Sequence, residues 1–393
     1  MTPETSLGRG FWAIFAASLL ICMANGASTP VLPLFVESRL GGDAATVGLV
    51  VGSSSIVAVA VRPLLGLLTD RYGRRRLSIA GAACAATGVL LLAVATSVAS
   101  GTGGRVLFGL GGAAINTAVT TWIIDTAARH ARGRALSVFG ISIWIGLALG
   151  PQLGQTALHL GGYRAVWITC AALAIAALLC LLPLPEPAIE RHADEDRAPR
   201  RWRTATRAVL RPGVVGALAW SGEGAILAFL VLHLEHRGLP STGVLSAASV
   251  FTLFAISVIG ARILLGRLPD RIGPTRAATI ALLAIGAGLT VLAAASSIAV
   301  AAIGAVLLGF GFAPLYPALA MLATARLAPT QRATGLGVYL AFLDLGMAIG
   351  SIGGGVLAGW QGEAAALYGA AAAQLLGLAL LAAGARRHAP APA

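Results

Sequence analysis

The chain has 393 residues, 57% of them hydrophobic and only 11% charged, with a mean hydropathy of +0.85. That is too little charge to cover a water-soluble protein of this size and too much apolar content for a disordered one, so a cytosolic enzyme and an unstructured chain are both excluded. The net charge is +13, carried entirely by arginines that sit in short runs between apolar stretches, which fits membrane topology rather than nucleic-acid binding.

Twelve apolar stretches follow one another, at about 11–35, 46–68, 77–97, 103–127, 134–158, 163–184, 212–234, 242–265, 276–296, 299–323, 333–358 and 362–384. Each reaches the roughly 20 residues that a helix needs to cross the hydrocarbon core. The first is too long for the apolar core of a cleavable signal, so it is kept as a span. It carries Asn25-Gly26, then Pro30 and Pro33, a weak spot for a helix.

After the second stretch comes Gly66-Leu67-Leu68-Thr69-Asp70-Arg71-Tyr72-Gly73-Arg74-Arg75. Asp70 closes one helix, Gly73 permits a tight turn, and Arg74 to Arg76 begin the next. A carboxylate placed there can face a helix N-terminus and an arginine together. The fourth stretch holds Arg105-Val106-Leu107-Phe108-Gly109, then Asn116 and Thr120, and ends at Asp125. An arginine inside an apolar helix costs about 2.5–3.5 kcal/mol at the bilayer centre. Arg105 therefore serves coupling or substrate anchoring, or snorkels to the nearer surface. The fifth stretch holds Gly146, Gly150, Pro151, Gln152, Gly154 and Gln155, a spacing that lets two helices approach closely.

The one long connection, Pro185 to Arg211, carries seven arginines and five acids. It reads as a solvated linker, with its Arg200–Arg211 part alternatively a basic amphipathic helix on the membrane surface. Beyond it, the seventh stretch places Glu223 between Gly222 and Gly224, and the eleventh places Asp344 near its middle. Burying either as an anion is expensive, and intramembrane ionisable groups are functional by default. A carboxyl that takes up a proton in one conformation and releases it in another is the functional reading; a protonated acid satisfied by a neighbouring helix is the structural one. Gly222 and Gly224 echo Asn25-Gly26, so both helices either break locally and expose backbone to a central cavity or use these small residues for ordinary close packing. Asn25, Asn116, Thr120, Gln152 and Tyr316 are polar candidates for that cavity, with Trp220 as an aromatic wall. The four cysteines have no metal-ligand spacing and the six histidines are scattered. No nucleotide-binding or hydrolase signature occurs, so neither metal nor cofactor is expected.

A repeat runs through the chain at an offset of 200. Arg62 to Gly73 parallels Arg262 to Gly273, with Gly266, Asp270 and Arg271 matching Gly66, Asp70 and Arg71. Gly109 and Gly111 parallel Gly309 and Gly311, and Gly146, Gly150 and Gly154 parallel Gly346, Gly350 and Gly354. Two halves of six helices thus share one plan and one orientation: residues 1–184 and 212–393, joined by 185–211. With the N-terminus inside, 22 arginines fall on inner segments and Arg39, Arg164 and Arg237 on outer loops, which places both termini in the cytoplasm.

The Gly66–Arg75 segment matches the G-x-L-x-D-R-x-G-R-R loop of the major facilitator superfamily, in the same place between the second and third spans. The resemblance covers essentially the whole chain, and it implies an all-α polytopic fold of twelve transmembrane helices in two halves related by a pseudo-twofold axis. It implies that Gly66, Asp70, Arg71, Gly73, Arg74 and Arg75 form a cytoplasmic charge latch, that Asp125 is its acidic partner, and that Asp270 and Arg271 belong to a degenerate second copy. Arg105 to Ala113 is similar to the family's R-x-x-Q-G-x-G-x-A motif, with Phe108 in place of Gln. Gly146 to Gln155 resembles the antiporter motif G-x-x-x-G-P-x-x-G-G, departing at Gln155. The chain is therefore expected to resemble the drug:proton antiporter or arabinose-efflux-like branch. That implies a monomer in the inner membrane that exports a small amphipathic or apolar molecule against protons, with Glu223, Asp344 and Arg105 in coupling. Uptake of a polar solute, or a sensor that moves nothing, are the alternatives. Relatives in that branch carry an acid in the first span, where this chain has only Asn25.

Overall fold

A computed structural model describes residues 8–126, 132–186, 198–240, 246–325, 327 and 332–386. These form thirteen helices: α1 (Arg9–Ser28), α2 (Val31–Leu40), α3 (Ala44–Tyr72), α4 (Arg74–Ala93), α5 (Val98–Thr126), α6 (Arg132–Leu181), α7 (Ala198–His236), α8 (Ala247–Leu265), α9 (Leu268–Ile272), α10 (Pro274–Ala293), α11 (Ile298–Thr324), α12 (Arg332–Gln361) and α13 (Glu363–Arg386). Eleven are long and apolar enough to span a membrane, and α6 is long enough for two spans, its helix interrupted at Gly161 and Gly162. Twelve crossings result, in an all-α polytopic protein.

The first stretch is longer than its apolar run predicts, because it is two helices. Pro30 has no N–H to give the Gly26 carbonyl, and Pro33 has none for Thr29. The chain turns there, and the Asn25 carbonyl accepts from the Thr29 N–H at 3.1 Å and from the Ser28 and Thr29 hydroxyls, each at 2.8 Å. The seventh span is the opposite case. It runs unbroken through Gly222–Gly224, so of the two readings packing holds there: with no proline nearby, those glycines lie against Leu289 and the Met347 carbonyl. The same helix begins at Ala198, so the basic Arg200–Arg211 segment is the first part of α7.

Two compact units divide the chain, one drawn from Met1–Gly41 and Ala60–His192, the other from Gly42–Val59 and Ala193–Ala393. In the first, α1 lies along the first part of α6 with almost no side chain between them. A Cβ at Gly150 would sit 2.7 Å from the Ala27 nitrogen, and one at Gly146 2.8 Å from the Leu19 carbonyl. Gly154 meets the Ala27 backbone in the same way. In the second unit, Gly346 and Gly350 of α12 meet the Ala217 and Ser221 backbone of α7. Another pair repeats too: Gly104 against the Gly88 carbonyl in α5 and α4, and Gly304 against the Gly288 carbonyl in α11 and α10. The offset of 200 is thus a register of close helix contacts. It reaches the element boundaries as well, since α4 ends at Ala93 and α10 at Ala293. The opening part of α3 packs within the second unit, where Gly48 and Gly52 face Ser351 of α12.

Candidate functional site

Two groups of side chains carry charge or chemistry. The first is the arginine-rich turn between α3 and α4. Gly73 has φ +98°, a backbone conformation that L side chains rarely adopt. Its missing Cβ is also what lets the Glu186 carboxylate approach, for a Cβ there would come within 2.5 Å of Glu186 Oε1. Glu186 accepts from the backbone N–H groups of Arg74 and Arg75, the latter at 3.2 Å, and so caps the N-terminus of α4, where a helix favours negative charge. The buried Arg74 guanidinium donates from Nε to Asp125 Oδ2 of α5 at 2.8 Å and from Nη1 to the Thr69 carbonyl at 3.1 Å. Arg75 reaches the Leu182 carbonyl at 2.6 Å. The turn is therefore tied to the ends of α3, α5 and α6 together.

Glu186 is the residue that sequence reasoning missed. It is the first acid after the sixth span and nothing in its spacing sets it apart; its role appears only when Gly73 is folded beside it. Arg71 is exposed and lies against the Tyr72 ring, 5.4 Å from its centroid. Gly66 faces open space. Asp70 occupies the last turn of α3, with its side chain outside the described residues. In the second copy, Asp270 and Arg271 are both exposed on the short α9, and Gly273, at φ +85°, has nothing within 4 Å of a Cβ.

The second group lies in the second unit. Glu223 of α7 is half-buried and Asp344 of α12 is buried, and each carboxyl acts electrostatically on the other. One turn before Glu223, Trp220 begins a chain of rings: Trp220 to Phe312 at 5.2 Å, Trp220 to Tyr316 at 6.4 Å, Tyr316 to the fully buried Tyr339 at 6.0 Å. The sequence-predicted Trp220 and Tyr316 thus meet, on α7 and α11. On the other side of α7, Gln374 of α13 donates to the Leu218 carbonyl at 3.0 Å. In the first unit, the Thr120 hydroxyl donates to Asn116 Oδ1 at 3.4 Å within α5, Asn116 being exposed; Asn25 and Gln152 are half-buried on α1 and α6. Arg105 is buried rather than snorkelling, only 8% exposed, with its guanidinium over the Phe108 ring at 5.6 Å. Gly146, Gly150, Pro151 and Gly154 pack against α1, and Gly346 and Gly350 of α12 meet α7 in the same way, whereas Gly354 faces the Phe229 and Ala366 side chains. Among the described residues, no three His, Cys, Asp or Glu are grouped to hold a metal.

The family model described as Major Facilitator Superfamily matches residues 14–323 and again 270–393. A transporter of Salmonella typhimurium, described as uncharacterized and MFS-type, is 32% identical over 385 residues, covering 94% of each chain. One of Burkholderia mallei with the same description is 31% identical over 379 residues, 94% of this chain and 90% of that one. The crystal structure of the nucleoside transporter NupG superposes with a TM-score of 0.79 at 14% identity, covering 97% of this chain and 99% of that one; identity so low speaks to fold alone.

Proposed function

This chain belongs to the Major Facilitator Superfamily and is a multi-pass membrane transporter for a small molecule, and on that premise we propose that it exports an amphipathic or apolar cargo in exchange for protons. Its relatives are transporters rather than enzymes. The observation that supports proton exchange is the pair Glu223 and Asp344, two carboxyls acting on each other inside one helical unit. Two neighbouring carboxyls offer a transported proton a shared place to bind, and the pair rather than either acid alone is the unit of coupling in this reading. The adjoining rings of Trp220, Phe312 and Tyr316 offer an apolar surface to cargo, and their nearness to the acids gives proton and cargo a common place to compete.

In this reading the protein is a drug:proton-antiporter-like monomer of the inner membrane with both termini cytoplasmic, an orientation its arginine distribution supports. Residues 1–184 and 212–393 are its alternating-access halves, joined by the 185–211 linker. The Arg74–Asp125 pair, with Asp70 and Arg71, latches the cytoplasmic side in one state.

Cells with and without the protein, exposed to a compound panel, identify the cargo by lowered retention. Everted vesicles holding an acid interior then test the coupling. Adding that cargo dissipates the pH gradient in the wild type, and Glu223→Gln or Asp344→Asn abolishes the response. Undiminished dissipation in both variants refutes the assignment.

A further inference from the structure

Among the described residues, the first unit holds a buried cation with no acidic group acting on it. Arg105 sits two turns into α5, 8% exposed, and its Nε makes no hydrogen bond. The titratable group that acts on it is the Cys170 thiol of α6, which carries no charge to match it. One turn from Cys170, Trp167 is 1% exposed, and its indole N–H is also without an acceptor. Two donors orphaned in an apolar bundle, one of them a full positive charge, are expensive to leave unmet. Their surroundings are aromatic: Phe108 beneath the guanidinium, and Phe35 edge-on to Trp167 at 5.2 Å. Every unmet group here is a donor and none an acceptor, so the missing partner is an acceptor that brings negative charge.

We infer that Arg105, with the Phe108 face and the Trp167 indole, receives the carboxylate of an organic anion, whose apolar body lies against Phe108 and Phe35. The inference refines the transport reading above by naming the chemistry of the cargo, and it depends on that reading only for the claim that the bound anion is carried. A guanidinium suits the task because its fork donates to both carboxylate oxygens.

Thermal unfolding of the purified full chain in detergent, followed by light scattering, tests the site with three probes sharing one body: cinnamate, cinnamyl alcohol and cinnamylamine. Cinnamate is expected to raise the midpoint saturably by about 2 °C or more, and the alcohol and amine are not. Arg105→Met abolishes the rise. Without ligand this variant unfolds no lower than the wild type, because an unpaired buried charge has been removed. Arg105→Lys keeps the charge without the fork and binds about tenfold more weakly. Trp167→Phe weakens binding severalfold. The inference is overturned if cinnamate produces no rise, if the alcohol or amine matches it, or if the rise survives Arg105→Met. It is equally overturned if Arg105→Met alone unfolds several degrees lower, for the arginine then has a structural partner, such as a buried water. Glu223→Gln should keep the cinnamate response, so failure of proton exchange leaves this site standing, and absence of a cinnamate response in the wild type overturns this site without bearing on the Glu223–Asp344 pair.

Discussion

The turn after α3 and its counterpart after α9 began as one design, and they now differ in what surrounds the same glycine. Gly73 and Gly273 have nearly the same φ, +98° and +85°, and each precedes a 20-residue helix. Around Gly73 a carboxylate from the end of the sixth span closes on the helix start, and a buried arginine pairs with Asp125. Around Gly273 there is open space, and Asp270 and Arg271 are exposed. The helix contacts tell the reverse story, since Gly150 and Gly350 still meet a neighbouring backbone in their own units. Among the described residues, duplication has been preserved where backbone touches backbone and relaxed at this charged turn, so packing carries the fold while the Arg74–Asp125–Glu186 network belongs to the first copy.

The packing side of this comparison breaks most severely. Gly150→Leu and Gly350→Leu should each cost about 3 kcal/mol or more, because the obstructing atoms are main chain and cannot turn aside. Comparable losses of folded protein in the two variants, measured by size-exclusion yield, would uphold the equivalence of the halves; a tolerated substitution at either position would end it. The turns should respond unequally. Gly273→Ala suffers backbone strain of about 2 kcal/mol, while Gly73→Ala adds a collision with Glu186 and should unfold at a visibly lower temperature. Equal midpoints would mean that Glu186 yields without cost.

Charge removal sharpens the contrast on a smaller scale. Asp125→Asn leaves the Arg74 guanidinium buried with a neutral partner, a loss of about 1–2 kcal/mol since Asp125 is one-third exposed. Asp270→Asn, on an exposed residue, should leave the unfolding midpoint unmoved. The smallest effect concerns Asp43, which accepts from the Thr46 hydroxyl at 2.6 Å and its N–H at 2.8 Å. Those bonds, the hydroxyl's first, hold its carboxyl below the usual aspartate value. A depressed value in the folded state means that the stabilisation is complete above the unfolded range near 3.9 and fades as pH falls through the folded value. The midpoint difference between wild type and Asp43→Asn should therefore be small and constant at neutral pH and shrink on acidification.

Much of the architecture was legible because the bilayer imposes it: apolar lengths give the spans, and the offset of 200 gives the duplication. Local chemistry was legible too, as at Pro30, where a missing N–H must interrupt the helix. Contacts between distant segments were not. Glu186 looked like one acid in a mixed linker, and the Gly222–Glu223–Gly224 triplet read equally as an interruption or a close contact, which its neighbours Leu289 and Met347 decide. Glycine marks both a bend and a close approach, and only the neighbour across the gap decides which.

The division of the first span at Thr29–Pro30 has a spectroscopic corollary. Peptide oxygens at Gly26 and Thr29 are denied the amide proton that a continuous coil would supply, so each has a lone pair that a passing solute, an ion or water can use. Carbon-13 placed at either carbonyl should absorb at higher infrared frequency than the same label at Ala17, and any species that halts beside that bend would pull the band down.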